Sequence, residues 1–254
     1  MNELLKMTAH QVKEGKFDKA ILAIGSCEAH GQHLAEGCDT IVSYELSKQV
    51  DRVPGMLVLP PITVGYSGHY DTFPFTLTFD YETMIHVIYD IVESVLRNGI
   101  NKIFLMNGHD GNIAPIEIAA RKIKEKYPDA RIASLPEWWV IAGKLVPEGT
   151  FAVWNGLGHA GEGETSIAYH LFPQWCEPDQ ATCVVPDHLP EHVDIKWDFA
   201  EITDTAQTGD ATVATAAKGK LMNDCLVEAV VKDIEALEKT GWNYNTSHCA
   251  TKLK

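Results

Sequence analysis

Residues 81–112 read YETMIHVIYDIVESVLRNGINKIFLMNGHDGN, and two periodicities meet inside them. Met84, Ile85, Ile88, Ile91, Val92 and Val95 recur at helical spacing, which predicts an amphipathic helix over residues 81–97, closed by Asn98-Gly99. Residues 102–106, KIFLM, form a short apolar run of the kind found in strands buried on both faces. The turn Asn107-Gly108-His109-Asp110-Gly111-Asn112 then leads directly into another helix. Helix, buried strand, turn and helix in that order make the crossover unit of a parallel sheet.

The same unit recurs on either side. Residues 20–25 read as the first strand, 41–50 as a helix and 56–60 as the second strand; residues 113–127 form a helix stopped by Pro128, and 130–135 the next strand. Four such units define an α/β fold with a mostly parallel sheet, and residues 211–239, with few breakers, supply a long last helix. Residues 136–158 and 173–208 are irregular and read as loops or short strands. No internal repeat or linker divides the chain, so residues 1–254 are expected to form one domain.

The 254 residues are 45% hydrophobic and 22% charged, an ordinary globular balance. A formal charge of −14 repels phosphate backbones and anionic lipid headgroups, which disfavours nucleic acid and membrane as partners. No apolar run approaches the ~18 residues needed to span a bilayer, and the first residues lack the apolar core of a secretory signal. A cytoplasmic location is expected. The six cysteines include no C-x-x-C pair and no regular framework, so a disulfide scaffold is disfavoured. The eleven histidines are the more informative inventory, because neutral imidazole both ligates metals and moves protons near pH 7.

In an open parallel sheet, ligands bind beyond the carboxyl ends of the strands, and three polar clusters fall there or at a helix start. After the first strand comes Gly25-Ser26-Cys27-Glu28-Ala29-His30, then Cys38-Asp39-Thr40; Glu28 and His30, two apart, project to one side of an extended segment. The third-strand turn presents His109 between two glycines. The third cluster runs from Gly158-His159 through Glu162 and Glu164 to Ser166, with His159 in the loop and Glu164 in the first helical turn. Plain structural readings compete: Asp39 as an N-cap, His30 as a loop histidine, and one of Glu162 and Glu164 as a carboxylate facing the helix dipole.

Together Glu28, His30, Asp39, His109 and Glu164 offer three carboxylates and two imidazoles, a mixed set suited to Zn, Mn or Fe and poor for Ca. An aspartate shared by two ions, with water activated between them, is a hydrolase arrangement. The rivals fit less well. The third-strand turn lacks both phosphate-loop spacings and has no nearby lysine. Gly65-Tyr66-Ser67-Gly68 misses the G-x-S-x-G spacing of a serine hydrolase, and no base and orienting group accompany Cys27 as a thiol nucleophile. Ser67, His69, Trp138, Trp139 and Trp154 are candidates for a substrate pocket wall.

In GSCEAHGQHLAEGCDT (25–40), NGHDGN (107–112) and HAGEGETS (159–166), the chain resembles the creatininase (creatinine amidohydrolase) family. GYSGHYDTFP (65–74) and GDATVATAAKGK (209–220) extend the resemblance over roughly residues 18–237. It implies a layered α/β/α fold, a homo-oligomer that is often a hexamer, and a centre of one or two divalent transition-metal ions. Glu28, His30, Asp39 and His109 match the family's ligands, with Asp39 bridging; Glu164 matches the glutamate of its third motif, and His159 the proton donor. The implied activity is metal-dependent hydrolysis of a small cyclic amide. Other branches act on formamides, a peptide, or a carbon–carbon bond of a cyclic diketone. A metal-binding protein without turnover is a reading from a different class, against which His159 stands. Two departures are visible: Gly111 replaces a glutamate that binds the second metal, and Phe75 stands where glycine is usual, pointing to a pocket shaped for something other than creatinine.

Overall fold

The structure is a computed structural model that describes residues 2–186, 192 and 195–244. After a short helix α1 (Ala9–Glu14), the chain alternates β1 (Lys19–Ile24), α2 (Cys38–Gln49), β2 (Met56–Val58), α3 (Tyr81–Arg97), β3 (Lys102–Asn107), α4 (Ile113–Lys126) and β4 (Arg131–Leu135). Then follow α5 (Trp138–Leu145), α6 (Glu162–Leu171), a two-residue antiparallel pair β5 (Cys183–Val184) and β6 (Gly209–Asp210), and α7 (Ala216–Lys239). The four long strands are all parallel, in the order β2-β1-β3-β4.

Alternation along the strands explains the layering. Ala20, Leu22 and Ile24 of β1 and Ile103 and Leu105 of β3 pack with Met84, Ile88 and Val92 of α3 and Ile116 of α4. Ile21, Phe104 and Met106 face the other way, onto Val42 and Leu46 of α2, Trp138 of α5, Ile167 of α6 and Leu226 of α7. Because both faces are covered, the central strands read as continuous apolar runs rather than alternating ones. The fold is therefore the α/β sandwich expected, with helices on both sides of a parallel sheet.

One expectation fails. Residues 138–145 form α5 inside the stretch read as irregular. WWVIAGKL is apolar nearly all round, so no amphipathic stripe announces a helix; it is stable because Trp138 is buried between the sheet and the outer helices. The last helix also starts later than residue 211, at Ala216, where the Thr215 hydroxyl accepts the Lys218 N–H as a cap. Among the described residues, 173–208 holds only short turns and β5, as expected; residues 187–191, 193 and 194 of that stretch lie outside the described residues. Among the described residues no helix is long and apolar enough to cross a membrane.

Candidate metal centre

The connection from β1 runs to one side of the sheet and that from β2 crosses back to β3, so β1 and β3 flank the point where strand order reverses. The first two clusters meet there. Gly108, at the end of β3, permits the approach: a Cβ on it would lie 2.4 Å from the Asp39 carbonyl oxygen, so any side chain would push β3 away from the start of α2. The Asn107 side chain accepts the His109 N–H and donates to the His109 carbonyl, pinning the turn.

Glu28, His30, Asp39 and His109 are all buried. Asp39 is not the cap of α2, a place held by Gly37; it lies in the first turn and aims inward, where Oδ1 is 2.9 Å from His30 Nε2 and Oδ2 accepts the Ser26 hydroxyl at 2.7 Å. His109 Nδ1 lies 3.0 Å from Asp39 Oδ2 and 3.2 Å from Glu28 Oε1. The other ring nitrogens are occupied. His109 Nε2–H donates to the Tyr66 carbonyl at 2.8 Å, and His30 Nδ1–H to the Glu28 carbonyl at 3.1 Å. A carbonyl only accepts, so these nitrogens are N–H donors, and His30 Nε2 and His109 Nδ1 are left to face the carboxylates, as N–H donors when the ring is charged and as metal ligands when it is neutral.

Both carboxylate oxygens of Glu28 are buried and make no well-formed hydrogen bond, with His109 Nδ1 in ion-pair range of Oε1. Burial disfavours the charged form of His30, yet the Asp39 carboxylate lifts its pKa to about 10. Burial likewise opposes protonation of His109, and Glu28 and Asp39 outweigh it, raising the group well above its ordinary range. Asp39 goes down despite burial, because His30 and His109 face it. The carboxylates thus call for positive charge among them, supplied either by protonated His30 and His109 or by a cation ligated by the same two ring nitrogens once they are deprotonated. Ligand atoms of Glu28, Asp39 and His109 lie within 4.8 Å of one another, as do those of Glu28, His30 and His159. The donor set fits a divalent transition metal ion.

Glu164 and His159 border a cavity of about 210 Å³ above this set, together with Asp39, His109, Tyr70, Asp110, Trp139 and Leu157. Burial raises the pKa of Glu164 to about 7, and its Oε2 accepts the Ala160 N–H at 2.7 Å. Glu162 is the structural member of the pair: fully buried, it accepts the Ala152 N–H and pairs with Lys218. His159 Nε2–H donates to the Ala29 carbonyl at 2.7 Å, and Nδ1 stands 3.9 Å from Glu28 Oε1. Burial and the neighbouring His30 push its pKa down to about 3.

The pocket candidates divide. Trp139 borders the cavity, and His69 stacks 6.0 Å from the His109 ring. Ser67 is buried behind it with an unpartnered hydroxyl, Trp138 is a core residue, and Trp154, 39% exposed, lies off the cavity lining. Phe75 does not shape the cavity: its turn has φ 59°, which explains a preference for glycine, and leaves the ring 86% exposed. Tyr70 escaped the sequence reading; its ring packs 4.5 Å from His159, a contact between distant segments that no local motif records. At Gly111 a Cβ would meet the Tyr66 carbonyl oxygen at 2.2 Å and His109 Nε2 at 2.6 Å, so the Tyr66–His109 bond occupies the space a side chain needs.

Carboxylates and imidazoles gathered at the switch point of a doubly covered parallel sheet define the class, an α/β protein with a hydrolase-type centre. The chain belongs to the creatininase family, whose model, creatinine amidohydrolase, matches residues 5–234, and it is a hydrolase of that family. The creatinine amidohydrolase of Pseudomonas putida is 28% identical over 229 residues, covering 84% of this chain and 87% of that one. A mycofactocin precursor peptide peptidase of Mycobacterium ulcerans (strain Agy99) is 25% identical over 242 residues, covering 89% and 90%. The solved manganese creatininase superposes with a TM-score of 0.76 at 26% identity, over 92% of this chain and 98% of that one; a zinc–zinc creatininase mutant does so at 0.76 and 27%, over 92% and 97%.

Proposed function

We propose that this hydrolase is a metal-dependent amidohydrolase that opens a small cyclic amide. The observation that carries the reading is Glu28, a fully buried carboxylate whose nearest cationic partner is the His109 ring 3.2 Å away, among imidazoles held from behind by backbone carbonyls. Such a group is costly unless a cation meets it. Glu28, His30, Asp39 and His109 would hold one or two ions, with Glu164 on the wall of the same cavity, and the manganese and zinc forms of the solved relatives support those metals. A divalent ion bound there supplies Lewis acidity, polarising the scissile carbonyl and acidifying water.

His159 moves the proton. With Nε2–H committed to Ala29, Nδ1 is the free nitrogen: it accepts a proton from the attacking water and delivers it to the leaving nitrogen, which is too basic to depart as an anion. Tyr70 and Phe199, with ring centroids 4.5 and 5.1 Å from His159, hold the imidazole in place and keep water away. A cavity of about 210 Å³ with Trp139 and Val140 on its wall suits a small ring better than an extended chain. Ring opening also keeps both products tethered, so the carbonyl oxygen and the leaving nitrogen stay in position throughout. We further propose a cytoplasmic homo-oligomer.

Purified protein assayed for metal and screened against creatinine, other cyclic amides, formamides and cyclic diketones tests the reading. Cyclic amide turnover with poor creatinine turnover is expected. Full metal content with no activity on any class would support a non-catalytic role, turnover confined to diketones would move the reaction to a carbon–carbon bond, and creatinine kcat/KM near ~10⁴ M⁻¹s⁻¹, the lower end of ordinary enzymes, would show that Gly111 and Phe75 leave creatinine chemistry intact.

A further inference from the structure

We propose that the Cys38 thiolate is a ligand of this metal centre. The inference rests on the metal-centre reading above. Cys38 is the first residue of α2, is 1% exposed and immediately precedes Asp39. Its sulfur, a ring nitrogen of His30 and a carboxylate oxygen of Asp39 all lie within 4.8 Å of one another. That limit is close to the ~4.4 Å that Zn–S and Zn–N bonds of about 2.3 and 2.1 Å span at most across one zinc ion. A second observation points to a cation at the same place: the buried carboxylate of Glu28, which makes no well-formed hydrogen bond, has an oxygen within 4.8 Å of a His30 ring nitrogen.

A side chain at Gly111 would run into the Tyr66 carbonyl, so position 111 offers no donor and any further ligand comes from another element. Cys38 is the soft donor already there. On binding, the S–H proton leaves to solvent as the sulfur–metal bond forms, with no change of oxidation state. A thiolate favours zinc over manganese, so the subsite of His30, Cys38 and Asp39 is zinc-selective, while Glu28, Asp39 and His109 offer a harder set.

Two measurements on the full-length protein test this. Zinc X-ray absorption of the unmodified protein should show a sulfur scatterer at about 2.3 Å; a shell of nitrogen and oxygen alone overturns the proposal. Cobalt(II)-loaded wild type should show a thiolate-to-cobalt charge-transfer band that is lost in Cys38→Ser and Cys38→Ala and kept in Cys27→Ser, with circular dichroism confirming the fold of each. The zinc-over-manganese preference should fall at least tenfold in Cys38→Ser. Cobalt bound without that band, or a band unchanged in both Cys38 variants, overturns the thiolate role alone. Protein that binds neither zinc nor cobalt overturns the metal-centre reading with it.

Discussion

Three imidazoles at the centre, His30, His109 and His159, each commit one nitrogen to a backbone carbonyl, and that single device assigns their chemistry. It separates two placements that the residue types alone leave mixed: His30 and His109 turn their second nitrogens toward Asp39, while His159, on the cavity lining, keeps Nδ1 3.9 Å from Glu28. Asp39→Asn should therefore lose most bound metal along with activity, and elemental analysis showing full occupancy would rule out a bridging role. His159→Ala should keep its metal while kcat falls about 10²–10⁴-fold, the usual range for acid–base catalysis. Loss of metal from that variant would make His159 a ligand. At this scale the sequence was informative where donors are local: Glu28, His30 and Asp39 lie within one loop and the first turn of one helix. It was silent on the Tyr66 and Ala29 carbonyls, because every residue carries a carbonyl and only the fold selects which one meets an imidazole.

Helix α6 does two jobs in one turn. Glu164 reaches the cavity, whereas Glu162 is buried and ion-paired with Lys218 of α7, tying the two helices together. Lys218→Met should leave Glu162 buried and unpaired and cost about 3 kcal/mol, as breaking a buried pair does. At ~2–4 °C per kcal/mol for a protein of this size, the thermal midpoint should drop by roughly 6–12 °C, with metal stoichiometry unchanged at low temperature. An unchanged midpoint would mean that the pair contributes nothing to holding α6 on α7. The turn before α4 gives a contrasting test. Gly111→Ala should displace the Tyr66 carbonyl from His109 and weaken metal binding about 10–100-fold, the usual effect of losing such a supporting contact; calorimetric titration with zinc giving wild-type affinity would show that the carbonyl is dispensable. Elements with clear periodicity, such as α3, were legible in sequence to the residue, whereas α5 was not, because a short helix apolar on nearly every side carries no stripe to read.

Across the molecule, a charge of −14 and an exposed Phe75 ring pull in opposite directions, one keeping copies apart and the other inviting contact. For the homo-oligomer proposed above, light scattering should give a multiple of 28.1 kDa, and a monomer at working concentration would refute it. What the sequence determined by itself was the set of layers and the place of the polar clusters: apolar runs and helical stripes specify buried parallel strands under helices, and the E-x-H, G-H and H-A-G-x-x-E clusters mark the strand ends and helix starts. The tertiary structure alone decided strand order β2-β1-β3-β4, which places the ends of β1 and β3 side by side, and with it which of two glutamates faces the cavity and why position 111 has no room for a side chain. The physical reason is that periodicity is a property of neighbouring residues, whereas strand order, close backbone approach and the choice of a carbonyl partner arise between segments far apart in the chain.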